Sequence, residues 1–280
     1  MSNKPLIIYH GPSIDGFTGA WILWHYFDRD AEVMSASYKS KVPLAVSGRD
    51  VYLVGFAYDP DQMSSLISHA KSVILYGNHK TARMTIPSQT NFKQVYENGD
   101  ERSPSMTIWK ELFKDTPAPI MLSYIEDAYI YRHQLPFSRE IRCMMALEKR
   151  ELDNWTGLME MSEEDLRPFK ETGAVLLKER RKTIHNAIKS TKRWMKIGGV
   201  RMLVANIPSS FSSDACNELA YDQPVAATYF DSKDYRHFEL RSPRNSSVDV
   251  EVIARKYGGG GSNQHAAGFV VPRDHVLARI

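Results

Sequence analysis

Leu6-Ile7-Ile8-Tyr9-His10-Gly11-Pro12-Ser13-Ile14-Asp15-Gly16-Phe17 is the stretch whose reading decides the fold. Residues 6–10 form a short apolar run of β type, Gly11-Pro12-Ser13-Ile14 reads as a loop, and Asp15 opens a helical pattern as its candidate N-cap. Phe17, Ala20, Trp21, Leu23 and Trp24 then follow helical spacing, which assigns their side chains to a core. Two further apolar runs, 51–56 and 72–76, are nearly continuous, as in parallel strands buried on both faces. Residues 60–71 between them have helical character, 105–112 and 120–131 add helix, and Leu135-Pro136 ends an element. The pattern predicts an α/β fold whose N-terminal domain is a doubly wound, mainly parallel sheet. Ligands of such sheets lie beyond the C-terminal strand ends. The loops at 10–15, 55–59 and 77–81 are therefore expected to converge on one crevice.

Residues 162–196 are charged and mostly helical, with Ser162-Glu163-Glu164-Asp165 as a capped start. After Gly198-Gly199 the pattern changes to shorter strands at 200–206, 225–230 and 237–241, one helix at 248–256, a glycine run at 258–261 and a last strand at 266–271. The expected division is an α/β domain over 1–160, a helical connector over 161–197 and a smaller α/β domain over 198–280, with a cleft between the two domains.

The chain has 280 residues, 42% of them hydrophobic and 25% charged, which allows two globular cores and argues against disorder. No apolar run approaches the ~20 residues of a membrane span, and the start lacks a signal-peptide pattern, so a cytoplasmic protein without a membrane partner is expected. Cys143 and Cys216 lack CxxC spacing and are expected to be ordinary buried thiols. The net charge of +3 does not suggest duplex nucleic acid as a partner. Lys178, Arg180, Arg181, Lys182, Lys189, Lys192 and Arg193 crowd one stretch; it reads first as a solvated helix face and second as a source of positive potential for phosphates.

His10 and Asp15 are residue types that bind divalent cations, but an Asp at a helix start and a His at a strand end are also common structural features. Glycines at 258–261 can let backbone N–H groups approach phosphate oxygens, and Arg241 can add a bidentate contact. The competing reading is a crowded turn with a surface arginine. Ser209, Ser210, Ser212 and Ser213 have no GxSxG elbow or evident base and read as a loop and helix cap. Phe56 and Tyr58 are candidates either for the core or for stacking on a base.

Taken together, these segments resemble the DHH phosphoesterase family in its oligonucleotide and cyclic-dinucleotide branch. Tyr9-His10-Gly11-Pro12-Ser13-Ile14-Asp15-Gly16-Phe17 is similar to its opening His-x4-Asp-Gly-Phe motif, and Tyr124-Ile125-Glu126-Asp127-Ala128-Tyr129 to its acidic fourth motif. Phe238-Glu239-Leu240-Arg241-Ser242 and Gly258-Gly259-Gly260-Gly261-Ser262-Asn263-Gln264-His265-Ala266-Ala267-Gly268-Phe269 resemble the substrate-binding domain, called DHHA1, that accompanies it. The family's Asp-His-His triplet falls on Gly77-Asn78-His79, a further metal-binding Asp on Gly55, and a second acidic position on Tyr129. Its glycine run leads into a His, where this chain has Asn263, or Ser262 if the loop gains a residue; His265 is a shifted substitute.

The resemblance implies a metal site that has lost three ligands, at Gly55, Gly77 and Asn78. His10, Asp15, His79 and Asp127 remain as the floor of a cleft and as a weak single site for manganese or magnesium, if any metal is retained. Arg241, Gly259, Gly260, Gly261, Asn263 and His265 are the implied ligand contacts. Asp59 is a remote candidate to replace the lost carboxylate at Gly55. With the position that bridges two metals vacant, hydrolysis is expected to be impaired. The expected function is binding, and sequestration, of a phosphate-bearing nucleotide, a short oligonucleotide or cyclic dinucleotide. The rivals are an active phosphodiesterase with altered metal ligation, and a protein-interaction module on a vestigial fold, with self-association a further candidate.

Overall fold

Strand β1 (Leu6–His10) begins the first sheet. The computed structural model describes residues 3–37, 40–77, 90–96, 101–275 and 278–279. They divide into two compact units, Met1–Leu177 and Lys178–Ile280.

In the first unit β1 is joined by β2 (Glu32–Ala36), β3 (Asp50–Val54), β4 (Ser72–Gly77) and β5 (Phe92–Tyr96) in the order β2-β1-β3-β4-β5, with every neighbour parallel. Alternating side chains feed two cores. Ile7 and Val54 pack with helices α1 (Ile14–Tyr26), α3 (Pro104–Leu112) and α4 (Ile120–Tyr129), while Leu6, Ile8 and Leu53 pack with α2 (Pro60–His69). The expected doubly wound parallel sheet is therefore present.

Helices α5 (Ser138–Met145) and α6 (Leu152–Met159) follow in the first unit, Trp155 of α6 being fully buried against Phe17. Phe17, Trp21 and Trp24 all lie in the core. The helix start differs in one detail from the sequence expectation. Ser13, two residues before Asp15, is the N-cap of α1, accepting from the Gly16 N–H at 3.0 Å, and Asp15 is buried inside the first turn.

Helix α7 (Leu166–Thr191) is preceded by the expected cap: Asp165 accepts from the Ser162 N–H at 2.8 Å while Ser162 accepts from the Asp165 N–H at 3.3 Å. The helix stops before residues 193–197, which are strand β6 (Arg193–Ile197) and not connector helix. Met195 and Ile197 turn inward there while Trp194 and Lys196 stay outside.

The second unit is a seven-stranded mixed sheet, with β7 (Val200–Asn206), β8 (Ala226–Asp231), β9 (Tyr235–Arg241), β10 (Gly260–Asn263), β11 (Ala266–Pro272) and β12 (Ala278–Arg279) in the order β10-β11-β9-β8-β7-β6-β12. Helices α8 (Ser212–Leu219) and α9 (Val250–Arg255) accompany it, α8 packing with the second half of α7 in one core and α9 in another. No helix among the described residues is long and apolar enough to cross a membrane.

Candidate functional site

Parallel register sets the floor of the first unit's site. Tyr9 pairs with Val54, and Val54 with Tyr76, so the next residues, His10, Gly55 and Gly77, stand side by side at the C-terminal ends of three adjacent strands. The chain order reverses between β1 and β3, the topological switch point where open α/β sheets hold their ligands. Burial, then the nearby Arg150 guanidinium, lowers the His10 pKa, which favours neutral imidazole at physiological pH.

Gly55 takes φ +78°, a left-handed conformation that side chains other than glycine rarely adopt. Its N–H still donates to the Tyr76 carbonyl at 2.9 Å. A carboxylate at this position would carry the strain of a left-handed backbone, although its Cβ would meet only ordinary contacts, the nearest being His10 Cβ at 3.7 Å. Phe56 and Tyr58, candidates for base stacking, are 0% and 3% exposed and belong to the core around α2, their rings 5.1 Å apart. Asp59 is held as the N-cap of α2, accepting from the Gln62 N–H at 2.9 Å.

Asp15 and Asp127 are engaged within the protein. Asp15 accepts from the Ser105 hydroxyl on one oxygen and from the Ser105 N–H, at 3.3 Å, on the other. Burial raises its pKa to about 6 against the opposing pull of the Ser105 and Ser103 hydrogen bonds, with neighbouring Glu126 adding to the rise. Glu126 is itself raised by burial and accepts from the Ser103 N–H at 3.2 Å. The Asp127 carboxylate accepts from the backbone N–H groups of Gln134, at 3.0 Å, and Leu135, at 3.3 Å. Asn78 and His79 lie outside the described residues.

This donor set can be tested against a pair of divalent cations, which need several carboxylates to offset repulsion at ~3.5–4 Å separation. Gly55 and Gly77 offer no side-chain donor, and Asp15 and Asp127 have both oxygens engaged in hydrogen bonds. Among the described residues no three His, Cys, Asp or Glu side chains gather into a metal-binding group, so His10, Asp15 and Asp127 do not form one. The described residues do not fit a dinuclear manganese or magnesium centre.

Arg150 was missed by sequence reasoning. Between α5 and α6, it reaches back to donate to the carbonyls of Gly11 and, at 3.1 Å, Pro12, and so brings a guanidinium to the His10 loop. No local pattern marks it, because its partners are 138 and 139 residues away. The serines Ser103 and Ser105 were missed for the same reason.

In the second unit Arg241 donates to Ser213 Oγ at 2.8 Å and lies 3.5 Å from Glu239, whose pKa is raised by burial despite this arginine. Arg180 donates to Asp214 at 2.7 Å and to the Ser210 carbonyl at 2.6 Å, so two guanidinium groups meet the segment before and within the first turn of α8. Ser209 to Phe211 form a short 3-10 turn there.

The glycine run pairs as a strand. A Cβ at Gly259 would strike the Gly268 carbonyl and Phe269, and one at Gly261 the Ala266 carbonyl and Ala267. Glycine is required at both by the approach of β11. Gly260 pairs with Gly268 in the same ladder. The Asn263 side chain accepts from the His265 N–H at 2.8 Å, and the His265 ring lies 3.1 Å from Ser242 Oγ.

No protein-family model matches the chain. An uncharacterized protein of Acanthamoeba polyphaga mimivirus is 25% identical over 291 aligned positions covering 94% of this chain; the chain spans 66% of that relative's length. Among solved structures, the pGpG-specific phosphodiesterase PggH of Vibrio cholerae superposes with a TM-score of 0.53 at 13% identity, over 97% of this chain and 94% of that one. RecJ of Thermus thermophilus in complex with Mn2+ superposes with a TM-score of 0.51 at 12% identity, over 95% of this chain and 49% of RecJ. In fold, the chain resembles the DHH-family phosphoesterases.

Proposed function

We propose that this protein binds a phosphate-bearing nucleotide, a short oligonucleotide or cyclic dinucleotide, and holds it without efficient hydrolysis. The observation that carries the reading is the state of the acidic residues at the strand-end site. Asp15 is held by Ser105 and Asp127 by the Gln134 and Leu135 N–H groups, while the neighbouring strand ends are glycine. Binding needs positive groups and donors, and Arg150 brings a guanidinium to the His10 loop. Arg241 is the corresponding phosphate contact of the second unit.

The test is recovery. The purified protein is saturated with pGpG, with a cyclic dinucleotide and with a trinucleotide in separate samples containing manganese, then denatured, and the released molecules are weighed by mass spectrometry. Intact ligand at one per chain supports a holding role, and a ligand at 100 times its Kd should add about 2.7 kcal/mol of stability. Cleaved nucleotide at many turnovers would replace it with an active phosphodiesterase. No stabilisation by any of the three would leave a protein-interaction role.

A further inference from the structure

The segment between α4 and α5 contains three left-handed residues within seven positions, none of them glycine: Tyr131 at φ 54°, His133 at φ 49° and Phe137 at φ 62°. Bulky L residues rarely take this conformation, and such outliers persist where surrounding bonds hold them. Here Asp127 bonds His133 and the residues beside it, between Tyr131 and Phe137. Its carboxylate accepts from the Gln134 and Leu135 N–H groups, and its carbonyl from the N–H groups of Arg132, at 3.0 Å, and His133, at 3.3 Å.

The loop that Asp127 holds presents two aromatic rings outward. Tyr131 is 40% and Phe137 54% exposed, where burial would be the usual fate of such rings. Each has a cation near its face, Arg142 at 5.8 Å from the Tyr131 ring centroid and Lys170 at 5.5 Å from that of Phe137. Over residues 130–142, Arg132, Arg139 and Arg142 stand against a single acid, Glu140. Outward rings interleaved with cations suit a chain of stacked bases on a phosphodiester backbone.

We infer that residues 130–137 form a stacking platform for single-stranded nucleic acid that presents Tyr131 and Phe137, with Asp127 as the positioning residue of the loop between them. The platform deepens the nucleotide-binding reading and rests on it for the class of ligand.

The experiment replaces Tyr131 and Phe137 together by glycine, which removes the rings and accepts the left-handed backbone without strain, so the fold is kept. Fluorescence anisotropy follows a labelled adenine strand of about ten nucleotides and, separately, labelled pGpG, with Arg150→Ala run alongside. The double variant is expected to bind the long strand about tenfold more weakly or worse, from the usual value of a base-aromatic stack, and pGpG as the parent does. A ring-keeping variant, Tyr131→Phe with Phe137→Tyr, is expected to retain both affinities. The platform is overturned if the glycine variant binds the long strand like the parent, or if the parent binds pGpG but no long strand, the latter leaving the rings to a protein partner. Failure of the underlying reading looks different: the parent then binds neither probe, and Arg150→Ala has nothing to weaken.

Discussion

Two buried acids at the edges of the same site do different work. Asp15, in the first turn of α1, meets a serine hydroxyl and a single N–H, and its carboxyl is pushed up to about 6. Asp127, in the last turn of α4, gathers four N–H groups through its carboxylate and carbonyl and shapes the loop that follows. Both lie where the sequence resembles the acidic phosphoesterase motifs, yet Asp15 is packed against another helix with its pKa raised by burial, and Asp127 anchors a loop. The same residue type does different work where its partners differ.

The largest effect expected from breaking this contrast is at Asp127. Asp127→Ala leaves the Gln134 and Leu135 N–H groups without their acceptor, and two hydrogen bonds to a charged group suggest a loss of about 3 kcal/mol in urea unfolding. The same variant should make residues 130–137 exchange amide hydrogens faster while β1 and β3 stay protected. Uniform loss of protection would show that Asp127 supports the whole unit and not the loop.

Asp15 should show the opposite sign. Its folded pKa of about 6 lies above the ordinary 3.8, so the folded state holds the proton more tightly. Its contribution is fully present below about pH 3.8 and is lost as pH rises through about 6. That rise corresponds to a contribution on the order of 3 kcal/mol. Asp15→Asn removes the titration and should be the more stable protein at pH 7.5, with the advantage fading towards pH 4. Urea titrations across that range check it, and a variant less stable at every pH would remove Asp15 from the titrating class.

This contrast marks the limit of what the sequence shows. Strands β1, β3 and β4 are legible because burial on both faces makes them continuous apolar runs, and their shared C-terminal edge follows from the alternation with helices. Strands β2 and β5 are not, since they lie at the sheet margins with exposed residues such as Glu32, Ser35 and Lys93. Strand β6 is hidden by the cations around it, which read as a continuation of α7. The strand-end residues His10, Gly55 and Gly77 are legible by motif, whereas Arg150 and Ser105 act through partners distant in sequence. Nothing in a one-letter pattern reveals that Gly55 is left-handed or that Phe56 and Tyr58 are buried.

Gly55 supplies a smaller effect. If side chains alone separated this chain from a dinuclear metal site, Gly55→Asp with Gly77→Asp and Asn78→His would create one. The left-handed backbone at residue 55 predicts instead a destabilisation of about 1–2 kcal/mol from the first substitution. Calorimetry with manganese is expected to find fewer than two ions per chain in the triple variant. Two tightly bound ions would mean that the loop relaxes to accept the carboxylate, and that the present backbone follows from the glycine.

The smallest effect concerns the link between α1 and α4. Glu126 is the least of the influences on Asp15, below burial and the serine hydrogen bonds, and it meets Asp15 through the turn that begins α3, where Ser103 donates to Glu126 and Ser105 to Asp15. Glu126→Gln removes the charge but keeps an acceptor for Ser103. The midpoint of the Asp15-linked stability change should then move down by only a fraction of a pH unit, because desolvation still dominates. A shift of a whole unit or more would make Asp15 and Glu126 a coupled pair sharing a proton. The contrast would then lie between such a pair and the anchor one residue beyond it.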